Sequence, residues 1–497
     1  MTPADAYAAL LDHARRVSAL EQTEGLLAWD QETMMPPRGA AQRAEQMGAL
    51  AAVLHAMRTD PRQEDWLATA EGLDDPAPDV RADLREIRRE LTRAARLPDG
   101  LAEALARERS ASHQLWAEAR STRDFAPFAP ALARVLALRR EEAQAVAEPG
   151  QTAYDALLDR YEPGARAAEL EPVFARLREG LTELLDRIRG SSARIPKISG
   201  AFPETAQMAL AHELAGDCGY DFAAGRLDRA VHPFSSGSGL DVRITTRVDP
   251  ADPTECIFAT MHETGHALYE QGIARELHGR PAGGHASMGV HESQSRFWEN
   301  HVGRSAAFAP FLRDRMKIAF GSLGVRSPEA LFAAVNAVTP GYIRTAADEA
   351  QYDLHILMRF DLERALLSGD LPVEDLEVAW ADRFEADFGR RPPHASLGCL
   401  QDVHWSEGLI GYFPTYTLGN LNAAALAEAL RRDLPDLDAT LGRGDLEAPL
   451  DWLRDRIHRH GRVSTAEDLM TGACGGPVDE KPLLAHLEAK FGAIYDL

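Results

Sequence analysis

Residues 256–272 read CIFATMHETGHALYEQG, with His262 and His266 four positions apart and Glu263 directly after the first histidine. On an α-helix, positions i and i+4 lie on one face, roughly 6 Å apart along the axis, so both imidazoles can address one ion. Glu263 falls to the side of that face, where a carboxylate holds and deprotonates an attacking water without being a ligand. The neighbours Ile257, Phe258, Met261, Ala267 and Leu268 are apolar. They predict a buried helix, in which two imidazoles without partners carry a desolvation cost that a metal removes.

A catalytic zinc usually takes three protein ligands and keeps one position open. Glu270 continues the same face, but it lies eight residues from His262, roughly 12 Å along the axis, and cannot reach an ion held by both histidines. The extended metzincin pattern is absent, because Tyr269 and Gly272 occupy the places of its glycine and third histidine. The third ligand must therefore come from another segment. After the break HGRPAGGHASM, the stretch GVHESQSRFWEN at 289–300 reads as a second helix able to pack antiparallel to the first. Glu292, near its start, is the first candidate and Glu299 the second; His285 and His291 rank lower. The plainer alternative for either glutamate is an ion pair with Arg296.

The rest of the chain is compatible with an enzyme built mostly of helices. Its 497 residues are 45% hydrophobic and 26% charged, the balance of an ordinary folded protein. A net charge of −23 repels nucleic acid and anionic lipid, so neither is an expected partner. No apolar run approaches a membrane span and the first residues do not resemble a secretion signal, which makes a cytoplasmic location the expectation. Cys218, Cys256, Cys399 and Cys474 are scattered, with no CxxC pair, and are expected as reduced thiols.

Through the first 190 residues apolar side chains recur at helical spacing, as at Leu84, Ile87, Leu91 and Ala94. Breaks are expected at Pro98 with Gly100 and at Pro149 with Gly150. Between 195 and 250 the segments IPKISGAFP, HPFSSGSG and LDVRITTRV predict short strands or irregular structure forming a small sheet. Helical patterning then resumes, interrupted near 279–289, 389–398 and 408–420. The expectation is one unit over 1–497, with a helical N-terminal part over 1–190 that covers a cleft and a metal-binding, catalytic part over 191–497.

Six motifs in order carry a resemblance: HPF at 232–234, DVRIT at 241–245, HETGH at 262–266, HESQ at 291–294, IRTAAD at 343–348 and GCLQDVHW at 398–405. With WDQETMMPP at 29–37, this series resembles the carboxypeptidase Taq family of metallocarboxypeptidases. The resemblance implies release of single residues from peptide C-termini, a metal held by His262, His266 and Glu292, and Glu263 as general acid/base. It also implies a mainly α, zincin-type fold with a deep cleft and a small sheet beside the HExxH helix, usually as a homodimer. One ion per subunit is expected; two imidazoles and a carboxylate suit zinc, and cobalt would accept the same set.

A carboxypeptidase must hold a free α-carboxylate, for which a guanidinium offers two parallel charge-assisted hydrogen bonds. Arg344 is the first candidate and Arg243 the second. Were IRTAADEAQY helical, Arg344 and Asp348 would share a face, and a local ion pair is the plainer reading. His232, Gln401, His404 and Tyr416 are further candidates for substrate contact, with Asp402 and Tyr412 beside them. Two other readings fit the HETGH motif: an endopeptidase or oligopeptidase with the same metal chemistry, and a helical scaffold with a structural ion. A structural zinc normally has four protein ligands and needs no neighbouring base, so Glu263 speaks against the scaffold.

Overall fold

The computed structural model describes residues 1–98 and 100–497. The first helices are α1 (Pro3–Thr33), α2 (Ala40–Arg58), α3 (Arg62–Ala70), α4 (Pro78–Arg96), α5 (Leu101–Thr122), α6 (Ala129–Val146), α7 (Ala153–Leu158), α8 (Ala167–Gly190) and α9 (Glu204–Asp217). Strands β1 (Gly225–Arg229), β2 (Ser235–Ser238) and β3 (Asp241–Thr246) follow. Helices then resume with α10 (Pro253–Gly272), α11 (Met288–Arg296), α12 (Ala309–Phe320), α13 (Pro328–Val335), α14 (Glu349–Ser368) and α15 (Leu376–Phe388). The last are α16 (Pro414–Asp433), α17 (Leu437–Gly442), α18 (Glu447–Arg456), α19 (Ala466–Cys474) and α20 (Lys481–Tyr495). The protein is thus mainly helical with one small sheet, as expected, and the breaks at Pro98/Gly100 and Pro149/Gly150 separate α4 from α5 and α6 from α7.

Two expectations need correction. The region 195–250 contains α9, because Leu210, Ala211 and Leu214 recur at helical spacing and bury one face. The irregular stretch expected over 408–420 ends early, since α16 starts at Pro414, a residue well suited to a first helical turn.

The chain divides into two compact units, one of Met1–Ala94, Ile195–Val335 and Asn422–Val478, the other of Ala95–Arg194, Asn336–Leu421 and Asp479–Leu497. In the first, β3 is the central strand, parallel to β1 and antiparallel to β2. Val242 and Ile244 alternate inward along β3 and are fully buried. Val242 stands opposite Gly225 and Gly237. Gly237 has φ +99, a backbone conformation that favours glycine. Helix α10 lies against this sheet: Thr260 Oγ1 donates to Thr246 Oγ1 at 3.0 Å, and Thr246 Oγ1 donates to the Cys256 carbonyl at 3.1 Å. Around it Ile257, Phe258, Met261, Leu268 and Tyr269 join Val290, Phe297, Trp298, Leu426 and Ile457 in one core cluster. A helix buried on nearly all sides is a rigid platform for a site.

In the second unit, α14 has that central role, with Leu354, Ile356, Met358 and Phe360 buried and Phe174 and Tyr154 packed edge-on against Phe360. Asp348 caps it by accepting from Gln351 N at 3.1 Å. Among the described residues no helix is long and apolar enough to cross a membrane. The four cysteines are free thiols.

Candidate metal centre

Two caps start the helices that build the site. Asp252 accepts from Thr254 N at 2.8 Å with Pro253 in the first turn of α10, and Ser287 Oγ accepts from Val290 N at 3.1 Å at the start of α11. Where the helices cross, Gly265, inside HETGH, faces the α11 backbone; a β-carbon there would lie 2.6 Å from Ser295 Cα and closer still to the Gln294 carbonyl. The missing side chain lets α11 approach closely enough for Glu292 to reach the histidines.

Glu292 Oε2 lies 3.3 Å from His266 Nε2 and 3.7 Å from His262 Nε2. Three donors at the ~2.0–2.1 Å bond lengths of tetrahedral zinc are separated by about 3.3 Å, so the two edges that meet at Glu292 are close to the size an ion requires. The other oxygen of Glu292, Oε1, accepts from Arg296 Nε at 2.8 Å. The ion pair with Arg296 therefore coexists with the approach to the imidazoles and leaves one carboxylate oxygen for them.

Glu299 occupies a different place from the ligand position considered for it. Helix α11 runs on into a π-helical segment, Phe297–Gly303, and this segment sets Glu299 Oε2 2.9 Å from His262 Nδ1. The carboxylate thus takes the far side of the ring and holds Nε2 towards Glu292, the arrangement that fixes a histidine ligand's tautomer. Arg296 and Arg304 steady Glu299 in turn, at 3.3 and 3.4 Å. His266 is oriented otherwise: its Nδ1 is buried and has no hydrogen-bond partner among the described residues, and its ring stacks on His291 with centroids 4.6 Å apart.

The electrostatics follow from burial against charge. Burial drives the Glu263 carboxyl up to about 7, which suits a group that must both take and give a proton. Burial together with His291 and His262 lowers His266 to about 3, so it stays neutral and ready to bind a cation. For Glu292, burial is outweighed by Arg296 and the two imidazoles, and the carboxyl is held well below its usual range. His262 is also opposed by burial, but Glu292, Glu299 and Glu263 carry it upward.

Of the other candidates, Arg243 and His232 lie in the first unit. Arg243 is paired with Asp241 at 2.8 Å and rests over the Trp29 ring, 4.4 Å from its centroid. His232 is exposed in the turn before β2. The second unit holds the rest. Arg344 is buried in a short 3-10 turn, and its partner is Asp402, whose Oδ1 accepts from Arg344 Nε at 3.0 Å. The local pair with Asp348 does not form, because Asp348 caps α14 and accepts from Thr339 N at 3.0 Å. Arg359, fully buried, shares the same Asp402 carboxylate, and Arg344 Nη1 donates to Tyr352 Oη at 3.0 Å. Gln401 is committed to the backbone: Oε1 accepts from Arg344 N at 2.9 Å and Nε2 donates to the Tyr342 carbonyl at 3.1 Å. His404 Nε2 is 3.2 Å from Tyr416 Oη, and burial lowers the imidazole to about 4.

With this geometry in hand, residues 9–491 match the family model of the carboxypeptidase Taq (M32) metallopeptidases. The chain belongs to that family. It is 46% identical to thermostable carboxypeptidase 1 of Thermus thermophilus, with each chain covered completely. It is 34% identical to carboxypeptidase 1 of Bacillus subtilis over 97% of each. Among solved structures, the M32 carboxypeptidase of Deinococcus radiodurans superposes with a TM-score of 0.95 at 37% identity, covering 99% of this chain and all of the other. Metallocarboxypeptidase 1 of Trypanosoma cruzi also superposes with 0.95, at 34% identity, over 98% of this chain and 99% of the other.

The protein is therefore a metallocarboxypeptidase, a hydrolase of peptide bonds whose family implies a divalent metal. The donor set on α10 and α11 fits such an ion: two imidazole nitrogens and one carboxylate oxygen converge, and each is held from behind by stacking or hydrogen bonding.

Proposed function

We propose that this metallocarboxypeptidase is a zinc enzyme that removes single amino acids from the free C-terminus of peptides. His262, His266 and Glu292 hold the ion, and cobalt would fit the same donors. The observation that carries the reading is the meeting of Glu292 with the paired imidazoles while Glu263, with a carboxyl raised to about 7, stands in the same helix turn. When bound, the ion supplies Lewis acidity to water and to the scissile carbonyl. Glu263 takes the proton of the attacking water and passes it to the leaving amine. Arg344 anchors the substrate α-carboxylate, with Arg243 as the second choice, and Asp402 and Tyr352 fix the guanidinium plane. Tyr416, 3.2 Å from His404, and Tyr412 are both candidate donors to the developing oxyanion, while Gln401 and His232 shape the surroundings of the chain end. The same reading includes a homodimer in the cytoplasm, which sedimentation and fractionation test.

A peptide and its C-terminally amidated twin, incubated with the zinc-loaded protein, separate this reading from an endopeptidase. Stepwise loss of terminal residues from the free acid alone is expected. Equal cleavage of both peptides, or cuts within the chain, would reject the carboxylate anchor.

A further inference from the structure

One turn beyond His266 on α10, Glu270 is buried and has no part in the proposed reaction. It is not alone. His285 reaches it from the segment before α11, and His291 reaches it from α11, one residue ahead of Glu292. Glu270 Oε1 lies 3.1 Å from His291 Nε2 and 3.6 Å from His285 Nδ1, and the three donor atoms fall within 4.8 Å of one another.

Both nitrogens converge on the same oxygen, His291 at 3.1 Å and His285 at 3.6 Å, and the two separations bracket the ~3.3 Å edge of a tetrahedron of metal ligands. The surroundings also hold the donors in place. Tyr269 and His266 pack against the His291 ring at 5.5 and 4.6 Å, and the His285 carbonyl accepts from Arg462 Nε at 2.9 Å. Arg462 is itself drawn away towards Glu86 at 3.4 Å, which moderates its repulsion of a cation. The His285 side chain is 30% exposed, which leaves a cation a route to the cluster from that side.

We propose that Glu270, His285 and His291 form a second divalent-cation site beside the hydrolytic centre, so that this chain holds one ion more than the single one the family resemblance implies. Two imidazoles with one carboxylate select an ion of the zinc and cobalt class over calcium or magnesium, which favour oxygen donors. Because His291 stacks on His266, occupancy of the second site fixes the orientation of a ligand of the first.

Cobalt is the probe, since its visible absorption reports coordination by nitrogen and oxygen. The full-length protein, stripped of metal, is titrated with cobalt and the bound ion counted after removal of excess. The wild type is expected to bind two equivalents, His285→Ala and the near-isosteric Glu270→Gln one, and His262→Ala one, retained at the second site. A wild type that binds one equivalent overturns the proposal, as does a second equivalent that survives in both His285→Ala and Glu270→Gln. Peptide hydrolysis is followed in the same samples. Full hydrolysis with a single bound equivalent would overturn the second site while leaving the carboxypeptidase reading intact, whereas two equivalents without hydrolysis would do the reverse.

Discussion

Replacing Glu299 with glutamine tests whether the carboxylate behind His262 tunes the metal site. Glu299 Oε2 meets His262 Nδ1 at 2.9 Å, and the side chain is only 14% exposed. Burial works against its charge, but the hydrogen bond from His262 and the guanidinium groups of Arg296 and Arg304 hold the carboxyl near 2, so it is ionised throughout the working pH range. Glutamine keeps one acceptor oxygen for His262, loses the charge, and turns an amide nitrogen towards Arg304 in place of the second oxygen. A hydrogen bond to a charged group contributes about 1.5–3 kcal/mol and a neutral one about 1, so the loss is roughly 1–2 kcal/mol. That corresponds to a zinc dissociation constant raised roughly 5- to 30-fold, overlapping the range of changes to groups that orient metal-bound histidines. Competition with a chromophoric chelator reads it directly, and kcat at saturating zinc is expected to fall by less than about tenfold. The thermal unfolding of the metal-free protein serves as the control for folding. Zinc affinity unchanged within about twofold would show that His262 is oriented without Glu299 and would refute the reasoning.

Glu263→Gln is expected to retain its zinc while kcat falls by about 10²–10⁴-fold, the usual contribution of a positioned acid/base group; unchanged hydrolysis removes Glu263 from the mechanism. Gly265→Ala places a methyl group against the Gln294 carbonyl, so α10 and α11 must part and zinc content measured after dialysis should drop, whereas full occupancy would show that the close approach is dispensable. Asp402→Asn leaves Arg344 and Arg359 buried without their shared carboxylate and should lower stability to urea by about 3–5 kcal/mol. A loss under about 1 kcal/mol would mean the two guanidiniums find other compensation. Glu363, buried beneath Trp405, Tyr154 and the Gly411 amide, is raised by burial from its ordinary 4.5 to about 7. Its contribution to stability is complete below about pH 4 and is lost as pH rises through 7, a change of roughly 3 kcal/mol that Glu363→Gln should remove from the pH profile. Parallel wild-type and variant profiles from pH 4 to 8 would contradict that assignment.

The grouping of residues in the candidate site was legible in the sequence wherever local geometry was enough. HETGH places His262, Glu263 and His266 through the helical repeat alone, and the need for a ligand from another segment led to Glu292, which the structure brings to 3.3 Å from His266. The role of Glu299 was hidden because the helix changes its winding. Seven residues of regular α-helix return almost to the same face, but the π-helical turn from Phe297 puts Glu299 on the opposite side of the same imidazole. The pairing of Arg344 with Asp402 was hidden for another reason: the partners are 58 residues apart, and the nearer Asp348 is taken by a helix cap. No rule of spacing ranks a distant partner above a local one.

Glu270 shows how far a local rule extends. The axial rise of a helix correctly separates it from an ion held by His262 and His266, and the structure keeps it out of that triangle. The same rise says nothing about which groups meet Glu270 from outside the helix. His285 and His291, ranked low as ligands of the first ion, converge on its carboxylate, so the distance that removes Glu270 from one donor set is what allows a second set to form one turn away. Motif spacing excludes contacts within an element; it takes the packing of α11 on α10 to say which contacts replace them.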